Sequence, residues 1–260
     1  MFRHSVTQAI VLQSRQFGEI HKSVTLFTPG EGLVSAVAHG AKKMGSRLRS
    51  TTEVFCLSRV FLYEDPVRRT HKITDMEGLR LFHGIRASLA RYYAASLWAE
   101  LILKSFAGGD SARPLFGLLR ESLSLCEQAS PETARSLSMQ FLWRYLVLTG
   151  NAPDLDRCAE CGRSIGADEP LALAGGEGAA LCLSCAGPTA VEVPQAGRRY
   201  LAHTARLALA DALRVGLDAA DESSLRAVLL GLVQGILELP LASPAVEART
   251  ARVPMGRRRA

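Results

Sequence analysis

The stretch that decides the fold is Ser23-Val-Thr-Leu-Phe-Thr28, Pro29-Gly-Glu-Gly32, Leu33-Val-Ser-Ala-Val-Ala-His39. Its first six residues alternate like a half-buried strand, the Pro-Gly-Glu-Gly segment has the chemistry of a turn, and a second strand follows. Three more strands are predicted around this hairpin, at Ser5–Phe17, Thr52–Tyr63 and Thr70–Met76. Five short strands in about 80 residues predict a small closed barrel of the OB type. An SH3-like barrel and a small open sheet are the alternatives.

Beyond residue 80 the spacing of apolar residues becomes helical. The sequence predicts five helices, at Arg86–Ala107, Arg113–Glu127, Pro131–Thr149, Pro194–Leu213 and Asp221–Leu239. The third has the strongest start, because a capping Ser130 precedes Pro131 at the first helical position and Glu132 in the first turn. We interpret the helices as one bundle. The Arg-rich end from Ser243 is predicted to be disordered.

Four of the six cysteines form two pairs between the third and fourth predicted helices. Cys158-x2-Cys161 is followed, after 20 residues, by Cys182-x2-Cys185. Each pair can place two thiolates on one side of a tight turn, and two such pairs at this spacing are typical of a zinc site. Four thiolates leave zinc no open position for a substrate, so the sequence predicts one structural Zn²⁺ per chain.

The residues between the two pairs predict a β-hairpin. Pro170–Ala174 and Ala179–Leu181 flank Gly175-Gly-Glu-Gly178, and the module is interpreted as a four-cysteine zinc ribbon inserted in the helical domain. The competing interpretations are a redox dithiol pair and four unliganded thiols. A thioredoxin-type pair requires a βαβ setting that the pattern here lacks, and four free thiols in so short a stretch would be a coincidence.

The net charge of +6 is unevenly distributed along the chain. Residues 1–80 carry 12 Lys or Arg against 7 Asp or Glu, whereas residues 81–248 carry 14 against 18. Residues 249–260 carry 5 Arg and no acid. A basic front, an acidic middle and a basic tail favour a polyanion-binding module at the front of the chain.

The densest cluster of positive charge is the segment Gly40–Arg49. It carries Lys42, Lys43, Arg47 and Arg49, and no acid occurs between Gly32 and Thr52. The spacing Gly40-x4-Gly45 is that of a phosphate-binding loop, but Ser46-Arg47 stands where nucleotide triphosphate binding requires Lys followed by Ser or Thr. Nucleotide triphosphate binding is therefore not expected.

We interpret this segment as a flexible basic loop between barrel strands whose cations bind DNA phosphates. The other candidate DNA-binding residues are Arg15, Lys22, His39, Arg68 and Arg69. An ordinary solvated charge run is the alternative, and it is disfavoured because a solvated face normally mixes both signs of charge. For His39, which adjoins the loop, an ordinary surface histidine explains the sequence equally well.

Two other classes of protein find little support. No apolar run approaches the ~18–20 residues of a membrane helix, and polar Gln13–Arg15 ends the short apolar run Ala9–Leu12, which argues against a secretory signal. A cytoplasmic protein is expected. The six histidines are scattered, without a nucleophile elbow or an HExxH arrangement, so we predict that the protein is not an enzyme.

Several of these motifs, taken in order, resemble the bacterial RecO family of recombination mediators. The amino-terminal motifs are Val11–Glu19, Thr25–Thr28 with Gly32, and Gly40–Arg49 with its Ser-Arg-Leu-Arg. The later motifs are Leu146–Gly150, Pro153, Leu155-Asp156 and Cys158–Gly162. The resemblance covers most of the chain and becomes weaker after Cys185.

The resemblance implies an OB domain at residues 1–80 and a helical domain at 81–153 and 189–242, with the zinc ribbon at 154–188 between them. Residues 243–260 lie outside the motifs. It also implies that the protein binds single- and double-stranded DNA and anneals complementary strands without ATP. With the partner RecR it would help to load the recombinase on DNA covered by single-strand-binding protein, in the cytoplasm and at the nucleoid.

Two rival functions remain open from the sequence. A metal-assisted nuclease needs clustered carboxylates, and the basic front offers only dispersed ones such as Glu19, Glu53, Asp65 and Asp75. A zinc-containing protein-interaction scaffold without direct DNA binding would use the same basic surface to contact acidic proteins.

Overall fold

The amino-terminal part of the chain is a closed five-stranded barrel. The computed structural model describes residues 4–67, 70–105, 111–174, 178–237 and 239–251. The barrel strands are β1 (His4–Phe17), β2 (His21–Thr28), β3 (Gly32–Ala38), β4 (Leu57–Glu64) and β5 (His71–Arg80). They close in the order β1-β2-β3-β5-β4, with β3 and β5 parallel and the other pairs antiparallel. The predicted OB-type barrel is thus confirmed, and the open sheet is excluded.

The predicted start of the fourth strand at Thr52 is wrong. A short helix, α1 (Leu48–Thr51), occupies this part of the chain, and the N–H of Thr52 donates to the carbonyl of Leu48 at 3.2 Å. Phe55 then adopts a positive φ of 69°, a conformation that no extended strand contains. Phe55 and Cys56 are therefore buried residues of a turn, and the strand β4 begins after them at Leu57.

The rest of the chain is helical, with one small sheet. After α1, the helices are α2 (His83–Arg86), α3 (Leu89–Ser105), α4 (Ala112–Cys126), α5 (Pro131–Leu148), α6 (Gln195–Thr204), α7 (Leu209–Ala212), α8 (Ala219–Leu237) and α9 (Ala242–Ala251). Between α5 and α6, β6 (Leu171–Leu173) lies between β7 (Ala180–Cys182) and β8 (Val191–Val193). The predicted hairpin is β6–β7, paired antiparallel, and β8 was not predicted. None of the described helices is long and apolar enough to cross a membrane.

The predicted helix Pro194–Leu213 is two helices, α6 and α7. Arg144 of α5 donates hydrogen bonds to the carbonyls of Thr204 and Leu207, at 3.1 and 2.7 Å. These carbonyls are available because the helical ladder ends between α6 and α7. A tertiary contact thus stabilises a break that the apolar spacing does not reveal.

The prediction of disorder from Ser243 is also wrong for the described residues, because α9 begins at Ala242. The Glu100 carboxylate accepts hydrogen bonds from the N–H groups of Ala242 and Ser243, at 2.7 and 2.8 Å. These are unpaired donors at a helix start, and Glu100 of α3 serves as their cap. An ion pair between Arg226 and Glu247 holds the helix to α8. Residues 252–260 lie outside the described part of the chain.

The barrel and the helices share one hydrophobic core. Five apolar residues of the barrel segment point away from the barrel interior and are at most 6% exposed: Ile10, Leu12, Phe27, Phe55 and Leu57. They pack in one cluster with helical residues such as Trp98 and Phe116, and the rings of Phe27 and Phe116 are 6.1 Å apart. A separate cluster that includes Val11, Val24 and Leu62 fills the barrel.

Arg80 and Arg86 add polar links across the same junction, and Arg91 joins the helical elements beside it. Arg91 donates to the carbonyls of Glu127 and Ala129 at 2.8 and 2.7 Å, while Arg86 donates to the carbonyl of Val54. Arg80, at the end of β5, pairs with Glu127 at 2.6 Å. Because these contacts join the barrel, α3 and the α4–α5 connection, the orientation of the barrel on the helices is fixed at several points.

The Glu100 cap yields a first test. Its hydrogen bonds to Ala242 and Ser243, together with Lys104, lower the pKa of Glu100 to about 2 in spite of partial burial. We expect Glu100→Ala to weaken α9 docking by about 1 kcal/mol, which is seen as roughly fivefold faster hydrogen exchange of the α9 amides.

The exposed turn residue Glu31 provides the control. Glu31→Ala should leave exchange of the α9 amides unchanged. In the unaltered protein the contribution of Glu100 is fully present above its ordinary pKa of 4.5 and is lost as the pH falls towards 2. Equal exchange rates in the two variants at neutral pH would contradict the capping role.

Candidate nucleic-acid interface and metal centre

One half of the outer face of β1–β3 is left uncovered by the helices. The strand register aligns Arg15 with Ser23, and Ser23 with Val37. These residues point outward, because their neighbours Val24 and Ala36 fill the barrel interior. Farther along the same face Phe27 is buried against helices, whereas Arg15 is exposed. The half of the outer face that the helices leave open therefore carries an exposed cation, Arg15.

Lys72 extends this surface and was not predicted. It is the register partner of Val37 across the parallel β3–β5 pair, and its side chain is exposed. The next residue, Ile73, packs in the barrel interior, so Lys72 points outward. One transverse row therefore runs from Arg15 through Ser23 and Val37 to Lys72. The place of Lys72 in this row follows from the register of β5 against β3, which the sequence does not predict.

The β1–β2 turn and the basic segment, residues 39–49, meet at the end of this face. The Lys42 N–H donates to the carbonyl of Ile20 at 3.0 Å, and its Nζ donates to Gln16 Oε1 at 2.7 Å. The Gly40 N–H donates to His21 Nδ1 at 2.9 Å. The rings of His21 and His39 meet edge to face, 4.8 Å apart. The two segments thus form one continuous edge of the barrel.

The basic segment is a series of turns rather than an open loop. The N–H groups of Lys43, Ser46 and Arg49 donate to the carbonyls three residues earlier, at 3.0–3.1 Å. Gly40 and Gly45 have φ of 69° and 80°, values at which other residues are strained. The chain then enters α1. This arrangement leaves the side chains of Lys42, Lys43, Arg47 and Arg49 exposed.

The remaining candidates differ in their availability. Lys22 is only 13% exposed and pairs with Glu53 at 2.6 Å, so its charge is already compensated by an acid. His39 is exposed at the edge described above. Arg68 and Arg69 lie outside the described residues. The structure therefore brings Arg15, His39 and the basic segment to one end of the barrel, and assigns Lys22 an intramolecular ion pair.

The four clustered cysteines form a site that could hold a metal ion. The Sγ atoms of Cys158, Cys161, Cys182 and Cys185 all lie within 4.8 Å of one another. Those of Cys161 and Cys182 are 3.9 Å apart. Tetrahedral zinc with Zn–S bonds of about 2.3 Å requires sulfur separations of about 3.8 Å. The observed cluster therefore fits a four-thiolate site of this size.

Backbone geometry explains how each pair turns. The Gly162 N–H donates to the carbonyl of Cys158 at 2.9 Å, and Gly162 has a φ of 71°. In the second pair the Cys185 N–H donates to the carbonyl of Cys182 at 2.9 Å. The Ala159 N–H donates to the carbonyl of Ala180 at 2.8 Å, which brings β7, and with it the second pair, to the first. Cys158 and Cys182 are buried, whereas Cys161 is exposed.

The electrostatics of the cluster favour a cation. Hydrogen bonds from the backbone at Cys161 and Cys182 lower the pKa of Cys158 to about 6. A hydrogen bond from the Arg163 side chain lowers the pKa of Cys182. The neighbouring sulfurs of Cys182 and Cys161 raise the pKa of Cys185 to about 12. The thiolate forms of Cys158 and Cys182 are thus stabilised by their surroundings. Cys185 keeps its proton unless a bound metal ion compensates the negative charge of the cluster.

The ribbon, residues 154–188, is fastened to the helices by a buried arginine. Arg198 of α6 is 3% exposed and donates to the carbonyls of Ile165, Gly166 and Glu169. It also pairs with Asp156 at 3.2 Å. On the other side of the ribbon, Gly178 lies so close to α8 that an added Cβ would be 2.5 Å from Leu232. Nothing in the sequence singles out Arg198, because three of its partners are backbone carbonyls and the fourth, Asp156, is 42 residues away.

Comparison with known proteins places this architecture in a family. Residues 1–82 match the family described as Recombination protein O N terminal, and residues 86–245 match Recombination protein O C terminal. A DNA repair protein RecO from Rubrobacter xylanophilus is 34% identical over 243 residues, which cover 92% of this chain and 95% of that protein. A RecO from Pelotomaculum thermopropionicum is 33% identical over 177 residues, 68% of this chain and 66% of the relative.

The role of Arg198 can be tested against its neighbour. Arg198→Leu leaves three carbonyls without their donor, that of buried Ile165 among them, so we expect a loss of about 2 kcal/mol in the free energy of unfolding and a fall of roughly 5 °C in Tm. Arg199 is 60% exposed and pairs with Asp168 at only 3.6 Å. Arg199→Ala should stay within about 0.5 kcal/mol of the unaltered protein. Similar Tm values for the two variants would exclude the fastening role.

Proposed function

Since this chain belongs to the RecO family of DNA repair proteins, we propose that it is a non-enzymatic recombination mediator. It binds single- and double-stranded DNA through the barrel and anneals complementary strands without ATP. With RecR it helps to load the recombinase on DNA covered by single-strand-binding protein, in the cytoplasm and at the nucleoid. The observation that carries the proposal is the basic edge of the barrel, where Arg15, Lys72 and the exposed cations of residues 39–49 lie on the open side.

The cations of this edge are suited to phosphates rather than to base edges. Lys42, Lys43, Arg47 and Arg49 are exposed on a turn-rich segment, and ammonium and guanidinium groups pair with backbone phosphate of any sequence. Glu53, the nearest acid after the segment in the sequence, is paired with Lys22. We therefore infer sequence-independent binding, for which His39, Arg68, Arg69 and Lys22 are secondary candidates.

Annealing follows from the same charges. Two DNA strands repel each other, and a basic surface lowers this repulsion as counterions are displaced. Pairing of complementary strands is downhill once they meet, so no hydrolysis is required. This agrees with the presence of Ser46 at the position after Gly45, where a nucleotide-binding loop needs Lys. A protein-interaction scaffold without direct DNA binding is the alternative, and it predicts no annealing.

For the cysteine cluster we propose one structural Zn²⁺ per chain. Four cysteine sulfurs within 4.8 Å of one another suit tetrahedral zinc, and they leave no position for a reacting water. Arg163, whose guanidinium reaches Cys182, offsets part of the negative charge of a tetrathiolate centre. The ion would fix the ribbon and is not part of the DNA interface.

We also propose a division of labour among the segments of the chain. Residues 1–80 bind DNA, residues 81–153 and 189–242 form the helical domain, and residues 154–188 form the zinc ribbon. This division concerns what each segment does, and it does not imply that the segments fold independently. Because the outward residues Ile10 and Phe27 are buried against the helices, residues 1–80 expressed alone would expose apolar surface, and the whole chain is the object to test.

The DNA interface is tested by removing its cations. We expect the quadruple variant Lys42→Ala, Lys43→Ala, Arg47→Ala, Arg49→Ala to bind oligonucleotides of every sequence more weakly to a similar degree. Its salt slope on single strands should fall by up to about 0.7 per lost contact. Annealing of complementary labelled oligonucleotides, followed by fluorescence transfer without ATP, should slow in parallel.

A matched control carries the same change in net charge elsewhere. The four exposed helical arginines to replace by Ala are Arg113, Arg120, Arg206 and Arg214. This variant should bind and anneal like the unaltered protein. Equal losses in both variants would reduce the effect to net charge, and acceleration that depends on ATP would refute the mechanism. Degradation of labelled DNA in the presence of magnesium would favour a nuclease.

Metal analysis tests the zinc proposal. The purified chain should carry about one zinc per molecule. Cys158→Ala should lose it and make the hairpin 170–181 sensitive to proteases, whereas Cys126→Ala, outside the cluster, should retain it. Zinc must displace the proton of Cys185, whose pKa is raised to about 12, so affinity should fall as the pH is lowered. A fully folded chain without metal, or affinity independent of pH, would disprove this role.

A further inference from the structure

Three large apolar side chains are exposed at the basic edge of the barrel. Phe17 at the end of β1 is 52% exposed, Ile20 in the β1–β2 turn is 36% exposed, and Met44 in the basic segment is 94% exposed. Single exposed apolar residues are ordinary, but these three lie on two segments that are hydrogen-bonded to each other through Lys42 and Ile20. The molecule therefore presents apolar surface where its cations are densest.

We propose that Phe17, flanked by Ile20 and Met44, is a platform on which unpaired DNA bases stack, so that the basic edge prefers single strands to duplex. The inference deepens the proposed function and rests on it. Phe17 is two residues beyond Arg15 on the same outward face of β1, about 7 Å away. A strand whose phosphate pairs with Arg15 can thus bring a neighbouring base over the Phe17 ring.

The surroundings favour a base over other apolar ligands. Met44 lies between Lys43 and Arg47 in a stretch without acids, and the Arg15 side chain is exposed next to the platform, where Glu19 of the β1–β2 turn is outnumbered by these cations. A ligand for this surface must combine negative charge with flat apolar faces, which describes single-stranded DNA. In a duplex the base faces are already stacked on one another, so only the phosphates remain for the cations.

The platform also reconciles tight binding with annealing. Stacking engages the face of a base and leaves its hydrogen-bonding edge free, and every base has such a face. A strand held by phosphate contacts and by stacking on Phe17 therefore remains able to pair with a complement. Once pairing occurs the bases stack within the new duplex, the Phe17 contact is lost, and the duplex is bound more weakly than the single strand was.

The test compares three DNA ligands on the full chain: an oligo-dT, an abasic strand of the same length, and a duplex of the same length. We expect Phe17→Ala to weaken oligo-dT binding about fivefold or more, while abasic and duplex binding change less than twofold. Met44→Ala should act in the same direction with a smaller effect. Val6→Ala is the control, because Val6 is also on β1 and 57% exposed.

A second variant separates stacking from a merely structural role. Phe17→Trp should retain oligo-dT affinity, and its fluorescence should be quenched by oligo-dT and not by the abasic strand. Equal affinity of the unaltered chain for oligo-dT and the abasic strand would overturn the platform and leave the proposed function standing. An equal loss on all three ligands in Phe17→Ala would make Phe17 a structural residue. Failure of the unaltered chain to bind any DNA would overturn both.

Discussion

The structure depends on the burial of the outer face of β1 and β2 against α3 and α4. A small barrel is stable only if apolar side chains fill its interior and if the apolar residues on its outer face are covered. Here the interior is filled by side chains such as Val24, Leu26 and Leu62, and the outward Ile10 and Phe27 are covered by the helices. Burial of each such side chain contributes on the order of 2 kcal/mol, so the helices are part of what stabilises the barrel.

The same contact determines where a ligand can reach the barrel. The helices cover the half of the outer face that carries Phe27 and leave open the half that carries Arg15 and Phe17. On the open half, the hydrogen bond from Lys42 to Ile20 joins the basic segment to the β1–β2 turn. The ribbon is held elsewhere, between α6 and α8, by Arg198 and the close approach of Gly178 to Leu232. Packing thus separates the proposed nucleic-acid interface from the cysteine cluster.

Features that depend on neighbours in the sequence were predictable, whereas those that depend on distant residues were not. The alternation of Ser23–Thr28, the capping Ser130 and the spacing of the four cysteines are local, and the barrel, α5 and the cysteine cluster follow from them. In contrast, α9 needs a cap from Glu100, 142 residues earlier. The ion pair of Lys22 needs Glu53, and the alignment of Lys72 with Arg15 needs the register of β5. A single sequence carries no signal for such pairings.

The contact between α3 and α9 has a consequence for how the protein is made. Ser243 and its capping partner Glu100 are separated by 143 residues, which the ribosome adds in on the order of ten seconds. During that time α3 is complete, but the surface that α9 covers stays open. Glu100 still lacks the N–H donors of Ala242 and Ser243, and Lys104 lacks the carbonyl of Pro240 that accepts its hydrogen bond. The helical part is therefore finished only when the carboxy-terminal segment emerges, and contacts of such long range slow folding. A chain arrested before Ala242 would carry a finished barrel on an unfinished support, and such a chain would be a substrate for chaperones.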